Sequence, residues 1–287
     1  MLKAGVTIGC VVAMVAAGVL VVRLRHTRRT PSPLSGSEPF AERLATTVSR
    51  AGGMLVGAYL AGVLTIGAGG RLMMRVLAAT SSDDVQGLRT EADETIGEVS
   101  VGGSVFLIIG VGIGAAVVGL GLFSMLRRWL PDQSLAAGLV GMAIGAGLLV
   151  RPAGLLTSAN SDFTLVAPVA LAVALCLATF VVFGATFGVL VDHLAPRWPR
   201  PGWRPLGVVS VLPFALLLPV PLLFVATVIG VVAGTVAPKL RSPATPDHSV
   251  RPDAEGGGDR LGRILVMALG GLGSLSIAVA AGQVLAL

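Results

Sequence analysis

Uncharged apolar stretches long enough to cross a bilayer recur along this chain, and no other feature of the sequence constrains its fold so strongly. They occupy residues 4–22, 51–70, 101–125, 135–150, 164–191 and 264–287, and a longer run covers 207–236. A helix needs about 20 apolar residues to traverse about 30 Å of hydrocarbon. Inside that hydrocarbon every backbone amide must be satisfied within the segment, which makes helices the expected form. The predicted fold class is therefore all-α and integral to the membrane, a helical bundle of seven to eight apolar segments. Only 13% of the residues are charged, about half the share usual in soluble domains. One polytopic unit is expected rather than a string of soluble domains.

Charge sets the threading. All basic residues except Lys3 and Lys239 are arginines, and they cluster beside the apolar runs without interleaved aromatics. That pattern suits topology determinants and lipid-phosphate contacts, and it speaks against a nucleic-acid surface. Arg23, Arg25, Arg28 and Arg29 follow the first run. Residues 1–22 are thus expected to be a retained span with its N-terminus outside, since a cleaved signal would carry its charge first. Residues 23–50 read as a basic cytoplasmic linker, 51–236 as the membrane bundle, 237–263 as a flexible loop and 264–287 as the last span. Pro213, Pro219 and Pro221 interrupt the run at 207–236, where a helix would break or kink. If this run crosses once, the inner loops carry 11 basic residues against 10 outside; if it forms a hairpin, the count is 16 against 5. The positive-inside rule favours the hairpin.

Five Gly-x-x-x-Gly pairs lie in five different runs: Gly53 and Gly57, Gly110 and Gly114, Gly141 and Gly145, Gly184 and Gly188, and Gly230 and Gly234. In lipid, where apolar burial does not drive helices together, such pairs let backbones approach closely. They predict a compact bundle packed through these positions.

The densest charge lies between the second and third runs. Arg71 and Arg75 are four residues apart and share a helix face. They are followed by Asp83, Asp84, Glu91, Asp93, Glu94 and Glu98. Rough apolar–polar alternation through residues 85–101, with a turn-forming centre, predicts a small extracytoplasmic β-hairpin within residues 81–100. Two roles are expected for the arginines. They either pair with Asp83, Asp84 or Glu91 and pin the hairpin, or contact an anion or lipid headgroup.

The pattern Arg71-Leu72-x-Met74-Arg75, Thr80, Gln86-Gly87, Thr90-Glu91, Gly97 and Gly102-Gly103-Ser104 resembles a family of uncharacterised multi-span membrane proteins from actinobacteria. The resemblance covers roughly residues 68–104 and the general run of spans after it. It implies location and architecture, and no mechanism.

Little else carries chemistry. Cys10 and Cys176 lie in separate apolar runs, so no disulfide framework, metal site or cofactor is expected. Asp192-His193 reads as a solvated interfacial pair. No apolar core contains Asp, Glu, Lys or His, the residues on which ion-coupled transporters and intramembrane proteases rely. The expected function is that of a non-enzymatic structural or accessory component of the plasma membrane, partnered by the bilayer and by other membrane proteins. The alternative is a passive permease or lipid-handling protein in which Arg71 and Arg75 recruit an anionic group.

Overall fold

The structure, a computed structural model, describes residues 2–28, 39–89, 95–96, 100–149, 168–201, 212–215 and 256–286. Within these, the helices are α1 (Leu2–Leu24), α2 (Phe40–Thr80), α3 (Val101–Leu126), α4 (Ser134–Leu149), α5 (Val169–Leu194), a single turn α6 (Leu212–Ala215) and α7 (Gly256–Leu285). Five helices are long and apolar enough to cross a membrane, and α4 is a shorter apolar helix. Large apolar side chains such as Val12, Val15, Phe106, Met125, Leu272 and Leu275 point outward, as a lipid-facing surface requires.

Helix α2 is the central element. Its 41 residues make a rod about 60 Å long. The uncharged stretch between Arg50 and Arg71 covers about 30 Å of it, the thickness of a bilayer's hydrocarbon. The first three turns, residues 40–50, fall in the segment expected to be linker. They are helical because Pro39 accepts from the amides of Glu42 and Arg43, and because Ser49 Oγ donates to the Trp198 carbonyl at 2.6 Å, fixing the turn against the end of α5. Two π-helical segments interrupt the α-helical ladder, Gly62–Gly67 in α2 and Phe106–Val111 in α3, and they face one another.

Glycines set the helix contacts, and they also reveal the helix directions. Gly53 meets Leu194 and Ala195, and Gly57 meets Leu190 and Val191, so α2 and α5 run antiparallel. Gly62 abuts Gly112, and Gly67 abuts Ile108, so α2 and α3 are antiparallel as well. Gly138 packs on the backbones of Gly184 and Gly188, joining α4 to α5. Gly147 meets Gly273, and Gly262 lies on the ring of Trp129, which sets α7 parallel to α4. The expected pairs Gly53/Gly57 and Gly184/Gly188 therefore make backbone contacts. Gly110 and Gly114 do not: Gly114 faces open space, and α3 packs instead through Gly112, about 200° around the helix from both. Gly141 and Gly145 meet only the side chains of Phe123 and Leu122. The fifth expected pair falls outside the described residues, so the packing expected of Gly230 and of Gly234 has no counterpart among the contacts above.

These directions sort the chain to two ends. Arg50, Arg127, Asp192, Trp198 and the start of α7 lie at one end, together with Thr27, whose carbonyl accepts from the Ser134 amide at 3.3 Å. Arg71, Ser100 and Ser104 lie at the other. Helix α5 thus ends, and α7 begins, at the Arg127 end. Between them, the one described turn packs on α2, where Tyr59 Oη donates to the Pro213 carbonyl at 3.2 Å. Tyr59 is nine residues along α2 from Arg50, about 13 Å into the span. The core clusters around Leu55, Tyr59, Phe123, Phe183 and Phe187, with Phe123 and Phe187 edge to face at 5.6 Å between centroids.

Beyond α2, Gly87 adopts a left-handed φ of +88° and its amide bonds to the Ile96 carbonyl at 3.1 Å. Arg89 and Thr95 form a single antiparallel bridge. The chain therefore turns back on itself where a hairpin was expected, yet no strand forms among the described residues. The 3₁₀ turn at Asp83–Val85 and the left-handed Gly87 interrupt the alternation that a strand would need.

Candidate functional site

The first arginine of the pair sits at a junction of two helices. Ser100 begins α3, accepting from the Gly103 amide at 3.0 Å through its Oγ, a standard N-cap. One turn on, Ser104 Oγ donates back to the Ser100 carbonyl at 2.8 Å. Arg71 reaches across from α2 and donates through Nε to Ser104 Oγ at 3.1 Å and through Nη2 to the Ser100 carbonyl at 3.5 Å. Its Nη1 lies 3.8 Å from Met74 Sδ. Arg71 is only 4% exposed. All of these acceptors are neutral.

Two of the carboxylates expected to pair with it, Asp83 and Asp84, are elsewhere. Asp83 and Asp84 are exposed, and Asp84 accepts from Ser82 Oγ at 3.3 Å. No ion pair among the described residues joins either of them to Arg71 or Arg75. The reason is local: Ser81 Oγ and the Ser81 amide donate to the Leu77 carbonyl, and Gln86 Nε2 donates to the Ala78 carbonyl at 2.6 Å. The segment after α2 thereby caps the helix end and turns its two aspartates to the surface. Glu91 lies outside the described residues. Arg75, one turn beyond Arg71, has a buried Nη2 with no hydrogen-bond partner among the described residues. The positive end of the α3 dipole points at this same junction, so three sources of positive charge meet there among the described residues.

Beside this junction lies an apolar groove of about 380 Å³. One wall is α1, which contributes Val6, Gly9, Cys10 and Ala13, a single helix face. The opposite wall is α3, with Val101, Ser104, Val105, Ile108 and Ile109 in the same i, i+3, i+4, i+7 rhythm. Val63 and Ala68 of α2 form its floor. Ser104 therefore both lines the groove and accepts from Arg71, which itself does not line it. A second cavity of about 280 Å³, between α3, α4 and α5, is lined by glycines, phenylalanines and aliphatic side chains and holds no charged group.

The opposite end carries an arrangement that the sequence reading missed. Asp192 is no solvated interfacial residue: its side chain is fully buried, and Oδ1 accepts from Arg127 Nη2 at 3.1 Å. Arg127 Nη1 also contacts Met54 Sδ at 3.2 Å, and Arg50 lies beside the pair with Ala195 and Pro196. The signal was present in the spacing. Gly184, Gly188 and Asp192 are four residues apart, so the carboxylate lies on the helix face that packs inward.

Among the described residues no group of His, Cys, Asp and Glu converges as a metal site would require, and Cys10 and Cys176 are free and on different helices. No protein-family model, curated protein or solved structure matches the chain, so the reading of its function rests on its own residues.

Proposed function

We propose that the chain is a multi-pass component of the cell membrane that acts without catalysis, in a structural or accessory role, and contacts an anionic group through Arg71 and Arg75. The observation that carries this reading is the burial of Arg71 among acceptors that are all neutral within the described residues. Withdrawing a guanidinium from water is costly unless a negative charge compensates it. The unpartnered Arg75 Nη2 one turn away and the α3 N-terminus add to that demand. An anion supplied from outside the chain meets it. The test is thermal unfolding in an uncharged detergent with added inorganic phosphate or phosphatidylglycerol. Either addition should raise the wild-type midpoint, and neither should move that of the Arg71→Gln/Arg75→Gln double variant. A wild-type midpoint indifferent to both probes refutes the anion contact.

The same proposal includes a threading. Helices α1, α2, α3, α4, α5 and α7 alternate in direction as six crossings, with the Arg127 end inside. The hairpin expected at 207–236 lies outside the described residues except for 212–215, and this threading has it enter and leave by that inner side. Its support is that α5 ends and α7 begins at one end of the bundle, and that Pro213 reaches the depth of Tyr59. It also gives the 16 to 5 division of basic residues. A single cysteine at Ser249, in a background lacking Cys10 and Cys176, should react with an impermeant thiol reagent only after cells are permeabilised. One at Ser82 should react in intact cells. Labelling of Ser249→Cys from outside at the rate of Ser82→Cys would overturn the threading.

A further inference from the structure

We infer that the anion is the head of a membrane lipid whose acyl chain lies in the groove between α1 and α3. This inference rests on the anion contact proposed above and names its ligand. The argument is the continuity of two unlike surfaces. Ala68, Arg71 and Arg75 follow one another at i, i+3 and i+7 on α2, so the two arginines continue along the helix face that begins at the groove floor with Ala68. Ser104 belongs to both parts, lining the apolar groove and holding Arg71. A free phosphate would satisfy the rim and leave the groove without an occupant matched to it. A neutral hydrocarbon would fill the groove and leave the guanidinium uncompensated. Only an amphiphile with an anionic head complements both.

The groove's volume, about 380 Å³, lies at the lower end of the range for small-molecule sites, and its walls are aliphatic. Its long direction follows α1 and α3, which is the direction of the lipid chains in the surrounding leaflet. Arg71 marks the boundary about 30 Å from Arg50, the depth at which a lipid phosphate sits. The head and the chain are therefore recognised at the levels they occupy in the bilayer, so binding requires no lipid to leave its leaflet. Gly9 faces open space on the α1 wall, which is what keeps the groove clear.

The experiment separates head from chain. Full-length protein in an uncharged detergent is titrated with phosphatidylglycerol, with phosphatidylcholine, and with glycerol phosphate as the head alone, and the unfolding midpoint is read. Phosphatidylglycerol should act at a concentration at least about tenfold lower than glycerol phosphate, since two buried methylenes already provide that factor. Phosphatidylcholine should have little effect. Gly9→Phe fills the groove and alters neither arginine; it should abolish the tenfold advantage of the lipid and leave the response to glycerol phosphate unchanged. Val105→Trp, on the exposed opposite wall, should do the same and serves if the first variant does not fold. Equal potency of glycerol phosphate and phosphatidylglycerol overturns the lipid assignment while the anion contact stands. Retention of the tenfold advantage in both groove variants overturns the placement of the chain. Failure of all three probes removes the anion contact as well.

Discussion

Gly138→Leu is expected to destabilise the bundle by about 3 kcal/mol or more, at the top of the range for overpacking a close contact. Gly138 meets the Gly184 carbonyl and the Gly188 backbone directly, and Gly188 in turn rests on the Ser134 carbonyl. The atoms nearest Gly138 are all backbone of α5 with no flexible side chain among them to move aside, so a Cβ at 138 can be accommodated only by separating two helices. That separation would also open the packing of Phe183 and Phe187 behind them. Gly121→Leu provides the control. Gly121 is exposed with no atom near its missing Cβ, and leucine is the better helix former there by about 0.5–1 kcal/mol. Thermal unfolding in detergent should lower the midpoint for the first and leave the second at or slightly above wild type. Equal midpoints would show that the glycine contact does not hold the helices.

The second large effect is expected at Asp192. Asp192→Ala should cost about 3 kcal/mol, the lower end for breaking a buried ion pair. The carboxylate is fully buried, but the Arg127 side chain is 27% exposed and can move its head toward water once released. Asp192→Asn should cost nearly as much, because it keeps the shape but removes the charge opposing Arg127. The double variant Arg127→Met/Asp192→Leu should recover most of the loss, since an apolar pair of similar volume needs no desolvation. The measurement is the same unfolding midpoint, read as a double-mutant cycle. A double variant as unstable as the sum of the two singles would mean that the residues act separately.

The contrast between these two sites explains what could be read from the chain. The membrane location and helical class follow from uncharged runs, because hydrocarbon leaves a backbone few options. The Gly53/Gly57 and Gly184/Gly188 contacts were legible because each pair lies within an unbroken α-helical stretch, where spacing of four means one face. The spacing of Arg71 and Arg75 was legible for the same reason. Their partners were not, since Asp83 and Asp84 are close in sequence and Ser100 and Ser104 are distant. The choice was made by Gln86 and Ser81 capping α2, a competition of hydrogen bonds that charge patterning does not weigh. Asp192 was misread by its nearness to the end of an apolar run, when its phase relative to Gly184 and Gly188 was the better guide. Gly112 was passed over because it belongs to no Gly-x-x-x-Gly pair, yet it makes the closest approach between α2 and α3.

The π segment of α2 acts as a phase offset on a screw. Fourteen residues separate Gly57 from Arg71; at about 100° each they would bring the arginine to within about 40° of the glycine face, aimed at α5. One extra residue in the π turn holds it back by about another 100°, so Arg71 emerges nearly opposite that face, toward α3 and the groove. The half of the helix nearer Arg50 keeps its glycines against α5, and the half nearer Arg71 turns its charge to another neighbour. A single rod thus serves two interfaces with unrelated orientations, without a break, a proline or a loop. The adjustment sits at Gly62–Gly67, inside the uncharged stretch between Arg50 and Arg71, where no charged side chain betrays it.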